Sequence, residues 1–255
     1  AMIRAERFQM ITNLSNEVDI ITLEHLAERL NVSIATVRRD VEELCAQGIV
    51  EKTRGGIIFC NKTKNKEPSL QLRQLLNTGE KKRIAQAAFR HIRENSFYMF
   101  DSGSTVHELL KLIPTQFPLS IVTYDLTFLP ELNALENADV FILGGQLRRG
   151  KMACHGIYAE NYLDQLNANI AFLGADSVDL HKGIMGFNAS EVPLKQKMIA
   201  NADQTILLCD HSKFYNRGFI SVNGLKEIDR VITDTGTDAG ILQSLREAGI
   251  EVEVV

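Results

Sequence analysis

Apolar residues recur at helical spacing through the first fifty positions, then give way to compact apolar runs separated by amphipathic windows. Phe8, Ile11 and Leu14 make the inward stripe of a first helix over residues 4–16. Leu23, Leu26, Ala27 and Leu30 make that of a second, with Thr22 as its N-cap. Asn31-Val32-Ser33 reads as a turn. Ile34, Val37, Val41 and Leu44 then place a third helix over 33–47, with Gly48 suited to its C′ position. Short strands at 49–51 and 57–60 flank a tight turn at Arg54-Gly55-Gly56. Three helices followed by a β-wing form a winged helix-turn-helix.

Burying that stripe leaves Ala35, Thr36, Arg38 and Arg39 outward at the start of the third helix. Small and hydroxyl side chains let a helix approach DNA closely, and arginines reach phosphates or guanine edges. Ser33 in the turn and Arg54 and Gly55 in the wing complete the candidate DNA-binding set. Charge opposes this reading mildly: the first 60 residues carry seven Lys/Arg against nine Asp/Glu. The expectation is a local face, with Arg38, Arg39, Lys52 and Arg54 clustered and Glu42, Glu43 and Glu51 turned elsewhere. Affinity per subunit is then modest and is raised by oligomerisation.

Residues 61–77 are polar and basic and read as a linker, with a short helix over 70–76. Lys62, Lys64 and Lys66 are either a solvated hinge or contacts to the DNA backbone. Helical windows at 80–93, 105–112 and 126–135 then alternate with apolar runs at 97–101, 119–123 and 140–143. Further runs fall at 170–173, 205–209, 231–233 and 252–255. Such runs predict a mostly parallel sheet flanked by helices on both faces. The overall class is α/β with an N-terminal winged helix-turn-helix, divided as 2–60, a linker over 61–77, and 78–255.

In such sheets ligands bind beyond the carboxyl ends of the strands, and polar residues gather there. Asp101-Ser102-Gly103-Ser104-Thr105 follows one strand and opens a helix, a cradle for a phosphate or simply a cap. Thr123-Tyr124-Asp125, Gly144-Gly145 and Gly174-Ala175-Asp176 end three others. Asp210-His211-Ser212-Lys213-Phe214 ends a fifth, with Lys213 a counter-charge for a phosphate or a surface lysine. Glu191 and Lys195 stand four apart on a helix, a spacing that by itself gives a surface ion pair.

The chain has 255 residues, 45% hydrophobic and 24% charged, with a net charge of −4. That is ordinary for a soluble two-domain protein. No run approaches the ~18 apolar residues of a membrane span, and no signal-peptide core is present, so a cytoplasmic location is expected. Ala1, ahead of Met2, reads as an expression remnant. Cys45, Cys60, Cys154 and Cys209 share no metal-ligand or disulfide spacing and are expected as buried free thiols. No metal or cofactor is expected, and His155 has no ligand partner at metal spacing.

These residues resemble the DeoR family of bacterial transcriptional regulators over nearly the whole chain. The resemblance rests on Val32 through Leu44, Arg54-Gly55-Gly56, Asp101 through Thr105, and Leu143-Gly144-Gly145. It extends to Leu173-Gly174-Ala175-Asp176, Glu191 with Lys195, and Asp210 through Phe214. It implies an oligomeric repressor of a carbohydrate-utilisation operon, bound to operator DNA and released by a phosphorylated sugar. The implied effector set is Asp101, Ser102, Gly103, Ser104, Thr105, Thr123, Gly144, Gly145, Asp176, Glu191, Lys195 and Lys213. The C-terminal domain of that family looks like ribose-5-phosphate isomerase. Tyr124-Asp125 departs from the Asn-Asn that often follows this threonine, which bears on any contact from Asp125.

Two other readings compete. Aldose–ketose isomerisation needs a carboxylate base over the sugar, but Gln196 stands where the isomerase helix carries its glutamate, leaving Asp176 and Glu191 as substitutes. A sensor of a protein partner would need the strand-end polar residues covered.

Overall fold

A computed structural model describes residues 3–15, 17–46, 49–59, 67, 70–215 and 218–255. The chain divides into two compact units, Ala1–Leu76 and Asn77–Val255. Gly48, Cys60, Lys62, Lys64 and Lys66, singled out above, lie outside the described residues.

The first unit comprises α1 (Arg4–Leu14), β1 (Ile20–Thr22), α2 (Leu23–Leu30), α3 (Ile34–Ala46), β2 (Val50–Thr53), β3 (Gly56–Phe59) and α4 (Leu70–Leu75). Ile11, Leu26, Leu30, Val37, Val41, Leu44 and Ile57 fill its core. Thr22 caps α2 as expected, its Oγ1 accepting from the His25 amide at 3.1 Å. Arg54-Gly55 make a two-residue turn between β2 and β3, with Gly55 at φ +95. β1 was not evident from the sequence. It pairs antiparallel with β3, Thr22 opposite Gly56, and a Cβ on Gly56 would stand 2.5 Å from the Ile21 carbonyl oxygen.

The buried stripe of α3 differs from the expected one. Ile34 is 38% exposed; it lies in the first turn, where the helix tip projects past its cover. Asp40 is buried in the stripe instead, 2% exposed. Its carboxylate is gripped from α1 by Arg7, Nε to Oδ2 at 2.6 Å and Nη2 to Oδ1 at 3.0 Å. Hydrogen bonding to Asp40 raises the Arg7 guanidinium further above its usual range, against the opposing effect of burial. A two-pronged charged contact is stronger than a neutral one. Asp40→Ala is therefore expected to destabilise the first unit by about 2–3 kcal/mol, read as a lower urea midpoint, and an unchanged midpoint would refute it.

The second unit begins with α5 (Thr78–Phe89), β4 (Phe97–Phe100), α6 (Ser104–Leu110), β5 (Leu119–Thr123), α7 (Leu129–Asn133) and β6 (Ala138–Ile142). A hairpin of β7 (Gln146–Arg148) and β8 (Ala153–His155) leads to α8 (Ile157–Leu163) and β9 (Ala168–Gly174). Then come β10 (Ser177–Asp179), β11 (Gly183–Gly186), α9 (Val192–Ala200), β12 (Ala202–Leu208), β13 (Ile220–Asn223), β14 (Arg230–Thr233), α10 (Ala239–Glu247) and β15 (Glu251–Val254). Seven strands form one sheet in the order β15-β14-β12-β9-β4-β5-β6, every pairing parallel.

Alternate side chains enter opposite faces. Met99, Val122, Ala171 and Leu207 pack in one core, and Tyr98, Phe100, Ile121, Phe172 and Ile206 in the other. Expected helices at 80–93 and 126–135 are shorter: α5 stops at Phe89, and a 3-10 turn over Leu126–Phe128 precedes α7. Among the described residues, no helix is long and apolar enough to cross a membrane. Cys154 and Cys209 are buried free thiols, whereas Cys45 is only half-buried.

Candidate functional site

Two regions gather the chemistry. On α3, Ala35, Arg38 and Arg39 are exposed and Thr36 half-buried. Ser33 caps the helix, its Oγ accepting from the Thr36 amide at 3.2 Å and meeting Thr36 Oγ1 at 2.9 Å. Arg54 and Gly55 stand exposed at the tip of the wing. Elsewhere in this unit arginines are matched with acids: Arg4 with Glu43, Arg7 with Asp40, Arg29 with Glu17. Arg38, Arg39 and Arg54 have no such ion pair among the described residues. Lys52 departs from the expected basic cluster, because Glu42 takes its ammonium at 3.2 Å.

The second region is the carboxyl rim of the parallel sheet. Chain order runs outward from β4 through β5 and β6 on one side, and from β9 through β12, β14 and β15 on the other. The switch point therefore falls between β4 and β9, where a crevice for ligands opens in such sheets. Asp101 and Gly174 end those two strands, and the Gly174 amide donates to Asp101 Oδ2 at 2.8 Å.

Asp101 is fully buried. Besides Gly174 it accepts from the Tyr124 hydroxyl and from the Lys195 ammonium. Its carboxylate is thus already engaged by three donors within the protein. Lys195, 8% exposed, reaches down from α9 and also donates to the Gly174 carbonyl at 3.3 Å. Burial acts to lower the Lys195 ammonium, but Asp101, with Glu191 and Asp176, raises it and the net shift is upward, so the group stays charged. Burial, with Asp101 and Glu191 nearby, pushes the Tyr124 phenol well above its usual range and keeps it a neutral donor. Tyr124 therefore props Asp101 from behind rather than lining the crevice.

Glu191 and Lys195 do not pair with each other. Glu191 bonds Arg148 on the β7–β8 hairpin, and Lys195 has turned inward to Asp101. The sequence pointed to neither Arg148 nor its hairpin. The hairpin is tied back to the rim by Leu126 N to Met152 O at 2.7 Å and Cys154 N to Tyr124 O at 2.9 Å. Gly145 has a packing reason to be glycine: a Cβ there would lie 2.5 Å from the His155 carbonyl oxygen.

Ser102, Gly103 and Ser104, just after β4, are half-buried, and Thr105 and Thr123 are buried. Ser102 Oγ donates to Asp125 Oδ2 at 2.8 Å, and Asp125 also accepts from the Thr127 amide at 2.9 Å. Asp176 is half-buried, its Oδ2 accepting from the Phe187 amide at 3.2 Å. Asp210 caps the 3-10 turn His211–Phe214, which presents half-buried Lys213. Gln196, the residue expected where an isomerase base would sit, points away and donates to the Val222 carbonyl at 2.7 Å.

Comparisons with known proteins agree with this division. Residues 7–63 match the DeoR-like helix-turn-helix domain and residues 76–235 the DeoR C terminal sensor domain. The HTH-type transcriptional regulator GlpR of Haloferax volcanii is 32% identical over 98% of this chain and 98% of its own. The glycerol-3-phosphate regulon repressor of Escherichia coli is 26% identical over 99% of this chain and 100% of its own. Among solved structures, ribose 5-phosphate isomerase A from Neisseria gonorrhoeae overlaps 54% of each chain at 16% identity and a TM-score of 0.39.

A winged helix followed by a sensor domain defines a DNA-binding transcriptional regulator rather than an enzyme. This chain belongs to the DeoR family.

Proposed function

We propose that this regulator represses a carbohydrate-utilisation operon and leaves its operator when a phosphorylated sugar binds at the β4–β9 switch point. The observation that carries this reading is the set of polar groups gathered at the carboxyl ends of the strands flanking the switch point. Half-buried Ser102, Gly103 and Ser104 follow β4, and Asp176 ends the neighbouring strand. Lys213 follows from β12, two strands from β4. Backbone amides and hydroxyls suit phosphate oxygens, and a lysine supplies the counter-charge. Gly144, Gly145 and the Glu191–Arg148 pair would border the sugar end; Asp101, Lys195, Thr105 and Thr123 shape the floor.

Ser33, Ala35, Thr36, Arg38, Arg39, Arg54 and Gly55 form the DNA-reading surface in this proposal. A homo-oligomer would set two such surfaces at the spacing of operator half-sites. The sugar phosphate loosens DNA binding only through its differential affinity for the two arrangements. The name of the Escherichia coli relative, a glycerol-3-phosphate regulon repressor, supports a phosphorylated small polyol or sugar as the class.

Thermal melts against a panel of sugar and polyol phosphates test the reading. At 100 times its Kd a true effector is expected to stabilise the chain by about 2.7 kcal/mol, and no shift across the panel would reject the class. Lys213→Ala is expected to keep DNA binding and lose most of that shift. A variant that responds like the parent would remove Lys213 from the site.

A further inference from the structure

Asn77 opens the second unit, so the chain arriving from the DNA-binding unit enters the sensor through its backbone. Its backbone is left-handed, φ 50 and ψ 39, and it precedes α5 without capping that helix by its side chain. The side chain is directed at the rim instead. Nδ2 donates to Asp210 Oδ1 at 2.9 Å and approaches Ser212 Oγ at 3.3 Å. The same Asp210 oxygen accepts from the Ser212 amide at 3.0 Å and from the Ser212 hydroxyl, which fixes the turn that carries Lys213.

Asp210 is 1% exposed, and its second oxygen, Oδ2, is buried without a hydrogen-bond partner among the described residues. Burial would raise this carboxyl, but Lys213, Ser212, Asn77 and Lys81 together hold it below its usual range. A buried anion braced this way has few positions available to it, because each donor it loses leaves charge uncompensated. The carboxylate thus joins two things of different kinds: a turn bearing a half-buried cation, and the first backbone residue of the second unit.

We propose that Asn77 is the positioning residue that couples the Lys213 turn to the segment leading into the DNA-binding unit. The proposal rests on the reading that Lys213 meets the effector. A shift of residues 211–214 toward an anion moves Asp210 or Ser212 relative to Asn77. The amide either follows or lets go. Asparagine tolerates the left-handed region better than most residues do, but released from its two partners it is free to return to a right-handed or extended backbone. The chain entering α5 would then change direction at one residue. No contact between the two units is required.

A double-mutant cycle on the full-length chain, without ligand, tests this by hydrogen exchange. Ser212→Ala loosens the turn, and Asn77→Gly keeps the left-handed backbone while deleting the amide. In the parent, Ser212→Ala is expected to speed exchange of amides 70–78 by at least about threefold, a coupling at the low end of that seen between residues sharing one network. In the Asn77→Gly background it is expected to add nothing. Equal acceleration in both backgrounds, or none in the parent, would overturn the proposal. Asn77→Ser, too short to hold both partners, serves as the second variant in the same cycle should Asn77→Gly not fold. The sugar-phosphate reading stands or falls on the thermal melts, so failure of one is distinguishable from failure of the other.

Discussion

Replacing Arg38 and Arg39 together with alanine is expected to weaken binding to a duplex selected in vitro with the parent protein by roughly 30- to 1,000-fold. That corresponds to about 1–2 kcal/mol per side chain, within the ~1–3 kcal/mol typical of an arginine that meets a base. A salt titration by fluorescence anisotropy separates the two kinds of contact. An arginine on a phosphate lowers the salt slope by about one when removed, whereas one on a guanine edge relaxes sequence preference with little change in slope. Arg29→Ala is the internal control: its guanidinium is exposed but held by Glu17 at 2.8 Å, and its loss is expected to leave both affinity and slope unchanged. Parent-like affinity in the double variant would remove the start of α3 from the DNA surface.

Lys195→Met carries the largest expected effect on stability. The change strands a fully buried Asp101 carboxylate whose remaining donors are Tyr124 and the Gly174 amide. Breaking a buried pair from one side costs about 3–5 kcal/mol. For a unit of this size that is a fall of roughly 10 °C in Tm. Adding Asp101→Asn removes the stranded charge, so the double variant is expected to melt above the single one. The pH dependence has a definite sign. Because the folded ammonium titrates above the unfolded one, its contribution is complete below the usual lysine value of about 10.4 and fades only as pH rises through the higher folded value. The gap between parent and Lys195→Met should accordingly be flat from pH 6 to 9. A gap that closes within that window would assign the effect to another group.

Local pattern fixed the long elements of this chain and missed the short ones, for a physical reason. Helical stripes such as Leu26 and Leu30, or Val37, Val41 and Leu44, report burial within a few residues of themselves, and they were legible. β1 is three residues long and exists because β3 offers it a partner more than thirty positions away. The β7–β8 hairpin is likewise defined by its pairing and by its ties to Tyr124 and Leu126. Alternation over three residues carries almost no signal.

At the rim, the strand-end rule found the neighbourhood but not the wiring. Glu191 and Lys195 sit one helical turn apart, which favours a pair on an isolated helix. Tertiary structure supplied each with a better partner, Arg148 and Asp101. Tyr124 stands out in the sequence as a departure, yet its role depends on a hydroxyl reaching the carboxylate at the end of the adjacent strand, something no spacing along the chain reveals. Asn77 read as the last residue of a linker, since its hydrogen-bond partners lie more than 130 positions later.

The inward turn of Asp40 has a consequence for how this protein searches a genome. Its first 60 residues contain nine acids and seven bases, so an acid beside the proposed reading surface would count against binding a polyanion. Asp40 lies beside Arg38 and Arg39 in the chain, but its charge is withdrawn into the core and answered by Arg7. Arg38 and Arg39 are left exposed, with no ion pair among the described residues. Non-specific affinity for DNA comes almost wholly from summed phosphate attraction. What matters among millions of competing sites is the ratio of specific to non-specific binding. If Arg38 and Arg39 read DNA as proposed, withdrawing the Asp40 charge into the core favours their contacts without adding a further base to attract phosphates everywhere.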